Sequence, residues 1–198
     1  GRLSFRFAEV MEELVYLDHV RLLAIDHPAD VDVYPNEYFA AVPPFPEHKI
    51  IASRNARPPR AARDGDGRNV LPELLDRDRR YVTGFDSIQF PGFSKMHYVE
   101  LTLPETYTKG PIRLLMHGYI EYFSATSGFA AHQARIEPVV PFLEVRTADG
   151  QWQGVSNDIG LPPGLAQTMV ADLTGKLPPG TSEIRIGTNL NIFWDQIL

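Results

Sequence analysis

The chain has 198 residues, 25 acidic against 19 basic side chains, a formal net charge of −6 and no cysteine. A chain of this length buries a sizeable core without staples. The missing cysteines exclude disulfides and zinc–thiolate sites, and the acidic balance argues against a nucleic-acid partner. No apolar run approaches the ~18 residues of a membrane-spanning helix. The first residues carry no charged-then-apolar leader pattern, so any leader is expected to lie outside this sequence.

Taken in chain order, the apolar period is mostly two. Leu3, Phe5 and Phe7 alternate with Ser4 and Arg6. Residues 9–17 fit a helix (Val10, Leu14, Leu17) and a strand equally well. Val20, Leu22 and Ala24 predict a strand that Asp26-His27-Pro28 terminates, with a proline turn over Pro28-Ala29-Asp30. Asn69–Arg77 predicts one short helix, with Asn69 as N-cap and Pro72 in the first turn. Tyr98, Glu100 and Thr102 alternate with Val99, Leu101 and Leu103, while Tyr119, Glu121 and Phe123 alternate with Ile120 and Tyr122. Phe142–Arg146 and Gln151–Val155 flank Thr147-Ala148-Asp149-Gly150, whose Asp-Gly supplies the positive-φ positions of a tight hairpin. Ile184, Ile186 and Thr188 continue the alternation, and the apolar residues 191–198 predict a strand that is docked in a sheet or runs on into a longer polypeptide.

Proline is abundant, 17 residues, and clusters at Pro43-Pro44-Phe45-Pro46, Pro58-Pro59, Pro162-Pro163 and Pro178-Pro179, punctuating short elements. The pattern predicts one all-β domain over 1–198, an antiparallel two-sheet sandwich of jelly-roll or immunoglobulin-like type with one or two short helices.

Signals for chemistry are sparse. The six histidines stand at 19, 27, 48, 97, 117 and 132, without the spacing of a local metal motif. Asp64-Gly65-Asp66-Gly67 lacks the later ligands of a calcium loop, because Arg68 and Leu75 stand where oxygen donors are needed, and reads as a turn. There is no nucleophile elbow and no P-loop. Glu100, Glu121, Asp158 and Asp195 are the acids available for a hydrolytic pair, with nothing in the sequence to bring two together. No catalytic residue, metal ligand or cofactor is therefore assigned.

Two groups could bind a ligand. Arg54, Arg57, Arg60 and Arg63 recur every third residue around Pro58-Pro59, so polyproline II would place four guanidinium groups on one edge, suited to acidic polysaccharide. Pairing with Asp64, Asp66, Asp76 and Asp78 competes with that reading and is favoured over it. Tyr122 and Trp152 could form an aromatic platform for a sugar, although a core role is favoured for Trp152, beside its turn, and more strongly for Trp194, in an apolar strand.

Residues 15–31 (Val15-Tyr16-Leu17-Asp18-His19 through Pro28-Ala29-Asp30-Val31) resemble a pattern found C-terminal to the propeller of bacterial FG-GAP/VCBS repeat proteins. Those proteins are similar to cartilage acidic protein and carry an ASPIC/UnbV segment. Similar strings follow at Ala61-Ala62-Arg63-Asp64, Gly67-Arg68-Asn69-Val70-Leu71-Pro72, Arg80-Tyr81-Val82-Thr83-Gly84-Phe85, residues 168–175 and Asn191-Ile192-Phe193-Trp194-Asp195. The resemblance implies an extracytoplasmic protein, secreted or at the cell surface. It transfers no catalytic residue, and calcium does not carry over because no full Asp-rich loop is present. The expected function is a non-enzymatic accessory module for adhesion, assembly or glycan contact. Its expected partners are other domains of the same chain or neighbouring subunits. The alternatives are a purely structural domain packed on a propeller or on neighbouring copies, and a hydrolase with an unidentified acid pair.

Overall fold

The computed structural model describes residues 4–6, 16–40, 43, 45, 47–122 and 124–198. Among these residues the strands are, in chain order, β1 (Asp32–Asn36), β2 (Lys49–Ser53), β3 (Ala61–Asp64), β4 (Phe93–Thr102), β5 (Arg113–Ile120), β6 (Phe142–Arg146), β7 (Trp152–Ser156), β8 (Gln167–Asp172), β9 (Glu183–Leu190) and β10 (Ile192–Ile197). They form three antiparallel sheets: β3-β4-β9-β6-β7, β10-β5-β8, and the hairpin β1-β2. The molecule is an all-β sandwich, as the alternation predicts.

The period of two explains the sandwich. In the five-stranded sheet, Ala62, Leu101, Ile184 and Val145 fall in one cross-strand row, and Val99, Ile186 and Leu143 in the next. All seven are buried. Leu114 and Met116 of β5, Met169 and Ala171 of β8, and Ile192, Trp194 and Ile197 of β10 meet them in the same apolar cluster. Trp194 is only 2% exposed and so belongs to the core, as expected. The Cα of Gly118 lies opposite Trp194 in register, and a Cβ there would sit 2.4 Å from the Phe193 carbonyl oxygen and 3.0 Å from the indole.

The edges of the three-stranded sheet are covered. The register of β10 slips between Trp194 and Gln196, and the intervening Asp195 is buried, accepting the Arg79 amide at 2.8 Å. The Val82 amide donates to the Trp194 carbonyl at 2.8 Å, and Gln196 Nε2 to the Leu75 carbonyl at 2.9 Å. On the other edge, the Glu37 amide reaches the Thr168 carbonyl and Asn36 Oδ1 accepts the Val170 amide, each at 2.9 Å. Tyr34 and Ile51, on one face of the β1-β2 hairpin, pack on Leu115 and Val170, which form the outer face of this sheet. Paired edges of this kind remove a template for aggregation.

The predicted hairpin forms as β6-β7, with Gly150 at φ +82° and its amide on the Thr147 carbonyl. The helix predicted over Asn69–Arg77 shortens to a 3-10 turn, Leu71–Leu74, with Pro72 in its first turn. Val70 takes the cap position, while Asn69 Oδ1 accepts the Leu71 amide at 3.1 Å. The α-helix, α1 (Ala125–Gln133), was not foreseen: its apolar residues carry no helical stripe. Its signal is Ser124, whose Oγ accepts the Ser127 amide at 3.1 Å.

One predicted strand is absent. Residues 16–28 form neither strand nor helix, and Val20, Leu22 and Leu23 are exposed. Alternation alone cannot make a strand without a partner to take its backbone hydrogen bonds. The turn after it is present, with the Val31 amide on the Pro28 carbonyl at 3.0 Å. Leu3, Phe7 and residues 9–15 of the ambiguous segment lie outside the described residues.

The close approach at Gly118 gives a direct test. Gly118→Ala should destabilise the chain by about 1–3 kcal/mol in urea unfolding, because backbone must shift to admit the methyl. Gly154→Ala, with nothing within 4 Å of its added Cβ, should stay within about 0.5 kcal/mol of the parent. Equal effects at the two positions would refute the packing described for Trp194.

Candidate functional site

The outward face of the five-stranded sheet is built by the residues that alternate with the core. One cross-strand row reads Arg63, Glu100, Arg185, Glu144, with opposite charges adjacent throughout. An opposite-charge cross-strand pair in contact contributes roughly 0.2–1 kcal/mol, and the pair in contact in this row is Arg185 with Glu144. Arg185 Nε donates to Glu144 at 2.5 Å, and its guanidinium lies 4.2 Å from the Tyr98 ring centre and 4.6 Å from that of Trp152. Arg146 donates to Glu183 at 2.8 Å and lies 5.9 Å from the same Trp152 ring. Gly187 allows the next row: Phe142 crosses it so closely that a Cβ would meet the ring at 2.4 Å, and Phe142 meets Tyr98 edge-on with centres 6.2 Å apart. Trp152 is thus a partly exposed ring set among guanidinium groups, intermediate between a core residue and an open platform.

The arginines expected on one edge disperse. Asn55 adopts φ +60°, which breaks any polyproline II path between Arg54 and Arg57, and Arg63 belongs to β3. Arg54 pairs with Asp30 at 2.8 Å and Arg57 with Glu105 at 2.7 Å, and the hydrogen bond from Arg57 holds the Glu105 carboxyl below its ordinary range. The Arg60 amide bonds to the Thr102 carbonyl. Pairing within the chain is therefore correct for two of the four, but the partners differ from those expected. Asp64 instead takes Arg68, and Asp78 takes Arg80. Tyr122 is 72% exposed just beyond β5, on the other sheet from Trp152, so these two do not share a platform. Only Trp152 and Arg63 come together, in a recess of about 170 Å³ that Glu100, Thr102, Arg146 and Glu183 also line.

Sequence reasoning missed Arg185 and Arg146 as neighbours of Trp152. Their signal was available in the period of two, which puts Arg185 opposite in facing to Ile184 and Ile186, but strand order decides that β9, β6 and β7 are adjacent.

Two further recesses hold charged groups. At one end of the sandwich a recess of about 400 Å³ has Leu103, Leu173, Leu177 and Ile184 in its lining and Arg57, Glu105, Lys109 and Arg113 at its polar positions. Beside β4 a recess of about 260 Å³ is lined by Asp64, Asp66, Asp86, Lys95 and His97, with Trp194 among its walls. Three of the strings that carry the family resemblance converge there. Arg68 pairs with Asp64 at 2.9 Å and donates to the Thr83 carbonyl, and its guanidinium occupies the space where a Cβ on Gly84 would stand. His97 stacks on Phe85 (centres 4.8 Å apart) and contacts Ser94 Oγ at 3.0 Å, and burial pushes its pKa down.

The four candidate acids occupy separate structural settings. Asp195 holds the Arg79 amide, Asp158 the Gly160 amide at 2.7 Å, and Glu121 accepts from Asn191 at 2.5 Å, whereas Glu100 stands on the outward face. Among the described residues no group of three or more His, Asp or Glu side chains is arranged to hold a metal ion. No helix among them is long and apolar enough to cross a membrane.

Among the described residues, the arm of residues 16–25 exposes a run of large apolar side chains. Tyr16, Leu17, Val20, Leu22, Leu23 and Ile25 are between 43% and 88% exposed. Residues 23–28 run beside Val33, Ile50 and Ala52, the face of the β1-β2 hairpin turned away from the sandwich.

No family model matches this chain, and no curated protein or solved structure matches it.

The His97 setting predicts a pH dependence. Its folded pKa lies below the unfolded value of ~6.5, so the unfolded state binds more protons there and stability falls as pH drops through that value. One such group contributes a slope of at most about 1.4 kcal/mol per pH unit. Urea unfolding between pH 8 and pH 5 should show a shallower slope in His97→Phe. Some slope should survive, because burial also depresses the His117 pKa. An unchanged slope would show that His97 titrates freely in the native state.

Proposed function

We propose that this chain is a non-enzymatic accessory module of a secreted or cell-surface bacterial protein, and that its role is assembly. The arm of residues 16–25 docks on a neighbouring protein surface, supplied by another domain or subunit. The observation that carries this reading is the run of six large apolar side chains in ten residues, all at least 43% exposed. Scattered exposed leucines are ordinary on a protein surface, but a contiguous run marks an interaction site. The outer face of β1-β2, where Val33 and Ile50 are half-buried and Ala52 is exposed, adjoins the arm and extends the apolar surface. The location follows from the resemblance to FG-GAP/VCBS repeat proteins, whose pattern includes this same segment. The non-catalytic reading is supported by the separate structural settings of Asp195, Asp158 and Glu121.

In the isolated chain other copies offer the nearest apolar surface, so light scattering across a concentration series should show growing assemblies. Leu22→Asp with Leu23→Asp should return the chain to monomer while leaving the urea midpoint in place, since neither side chain is buried. A parent chain that stays monomeric throughout, or assemblies that the double variant leaves intact, would refute the arm as the docking element.

A further inference from the structure

We infer that the recess beneath Trp152, on the outward face of the five-stranded sheet, is a binding site for one ring of an uncharged saccharide. It is distinct from the arm and does not depend on the assembly reading. The recess sits over β3, β4 and β9, with Ala61, Ala62 and Leu101 contributing to its floor and the side chains of Arg146 and Trp152 at its side. Its volume, about 170 Å³, suits a single ring and is below the 300–1,000 Å³ typical of drug-sized pockets.

The lining has what a sugar ring requires. The indole gives an apolar surface for the C–H face of a pyranose, and its position is fixed by Arg185 and Arg146 packed against it. Around it stand polar groups with hydrogen-bonding capacity to spare. Among the described residues, Glu100 and Arg63 are cross-strand neighbours that make no ion pair with each other or with any other group, and the Thr102 hydroxyl has no side-chain partner. A carboxylate accepts two vicinal hydroxyls, and a guanidinium donates to the neighbouring oxygens in a planar fork. Arg146, by contrast, is fixed by Glu183 and forms the rim.

Charge decides which saccharide. Arg63, Arg146 and Arg185 are balanced on this face by Glu100, Glu144 and Glu183. The face therefore has no net positive field to attract sulfate or uronate, and the whole chain, at −6, repels a polyanion. An acidic polysaccharide would leave Glu100 facing like charge, whereas a neutral ring satisfies both Glu100 and Arg63 at once.

The test uses the full chain and titrates glucose, galactose, mannose, N-acetylglucosamine and their β-1,4 and α-1,4 oligomers, with heparin and polygalacturonate as charged arms. Binding is read by calorimetry and by tryptophan fluorescence, where Trp194 is buried and Trp152 is the responsive ring. At least one neutral sugar should bind, with heparin and polygalacturonate silent. Trp152→Ala should abolish the fluorescence response, and the near-isosteric Glu100→Gln should weaken affinity by about tenfold or more. Leu22→Asp with Leu23→Asp should bind the sugar like the parent, which separates this site from the arm. Binding of none of the neutral sugars, tighter binding of a charged polymer, or affinity unmoved by both Trp152→Ala and Glu100→Gln would overturn the assignment.

Discussion

The structure depends on burying Trp194 between two sheets. Gly118, opposite it on β5, leaves the ring its room, because a Cβ there would meet the Phe193 carbonyl oxygen at 2.4 Å and the indole at 3.0 Å. The backbone of β10 then organises what lies outside it. The Trp194 carbonyl and the buried Asp195 carboxylate take the amides of Val82 and Arg79, and Gln196 reaches Leu75, so the irregular path from Leu71 to Phe85 is held along the edge of β10. The strand, its edge cover and the Arg68 staple, which joins the cover to the β3 turn, thus form one patch from segments far apart in sequence.

The strand period that builds the core also builds the opposite face. Each inward Ile or Val of β9 and β6 places a charged residue outward, and antiparallel register sets Arg63, Glu100, Arg185 and Glu144 side by side with alternating sign. The result is a face rich in charge yet neutral in sum. Arg185 is held between Tyr98 and Trp152 and bonded to Glu144, so a long flexible side chain becomes a fixed support for the indole. Fixed donors and a fixed ring lower the ordering cost of binding a small ligand.

The arm and the outward face use different physics. The arm offers apolar area without backbone pairing and suits a protein surface that can exclude water from it. The face offers a small apolar ring among hydrogen-bonding groups and suits a ligand with both characters. They lie on different parts of the fold, one beside the β1-β2 hairpin and the other across β3, β4, β9, β6 and β7.

The sequence by itself determined the fold class, because alternation, Asp-Gly chemistry and proline clusters are local signals. Strands such as β4, β9 and the β6-β7 hairpin are legible from a few residues each, as is the core role of Trp194. It also suggested Trp152 as a ligand candidate. Tertiary structure decided the rest. Val20-Leu22-Ala24 has the pattern of a strand but no partner to pair with, so the segment remains an exposed arm. Four arginines at equal spacing do not share an edge, because one left-handed residue, Asn55, redirects the chain and distant Asp30 and Glu105 take two of them. Tyr122 lies just beyond the end of β5, whereas Trp152 begins β7 on the other sheet, so the two form no shared platform. Which residues surround Trp152 follows from strand order, a consequence of non-local pairing that no local pattern carries. Periodicity tells which side of a strand a residue faces, and only the packed sheets tell what it faces.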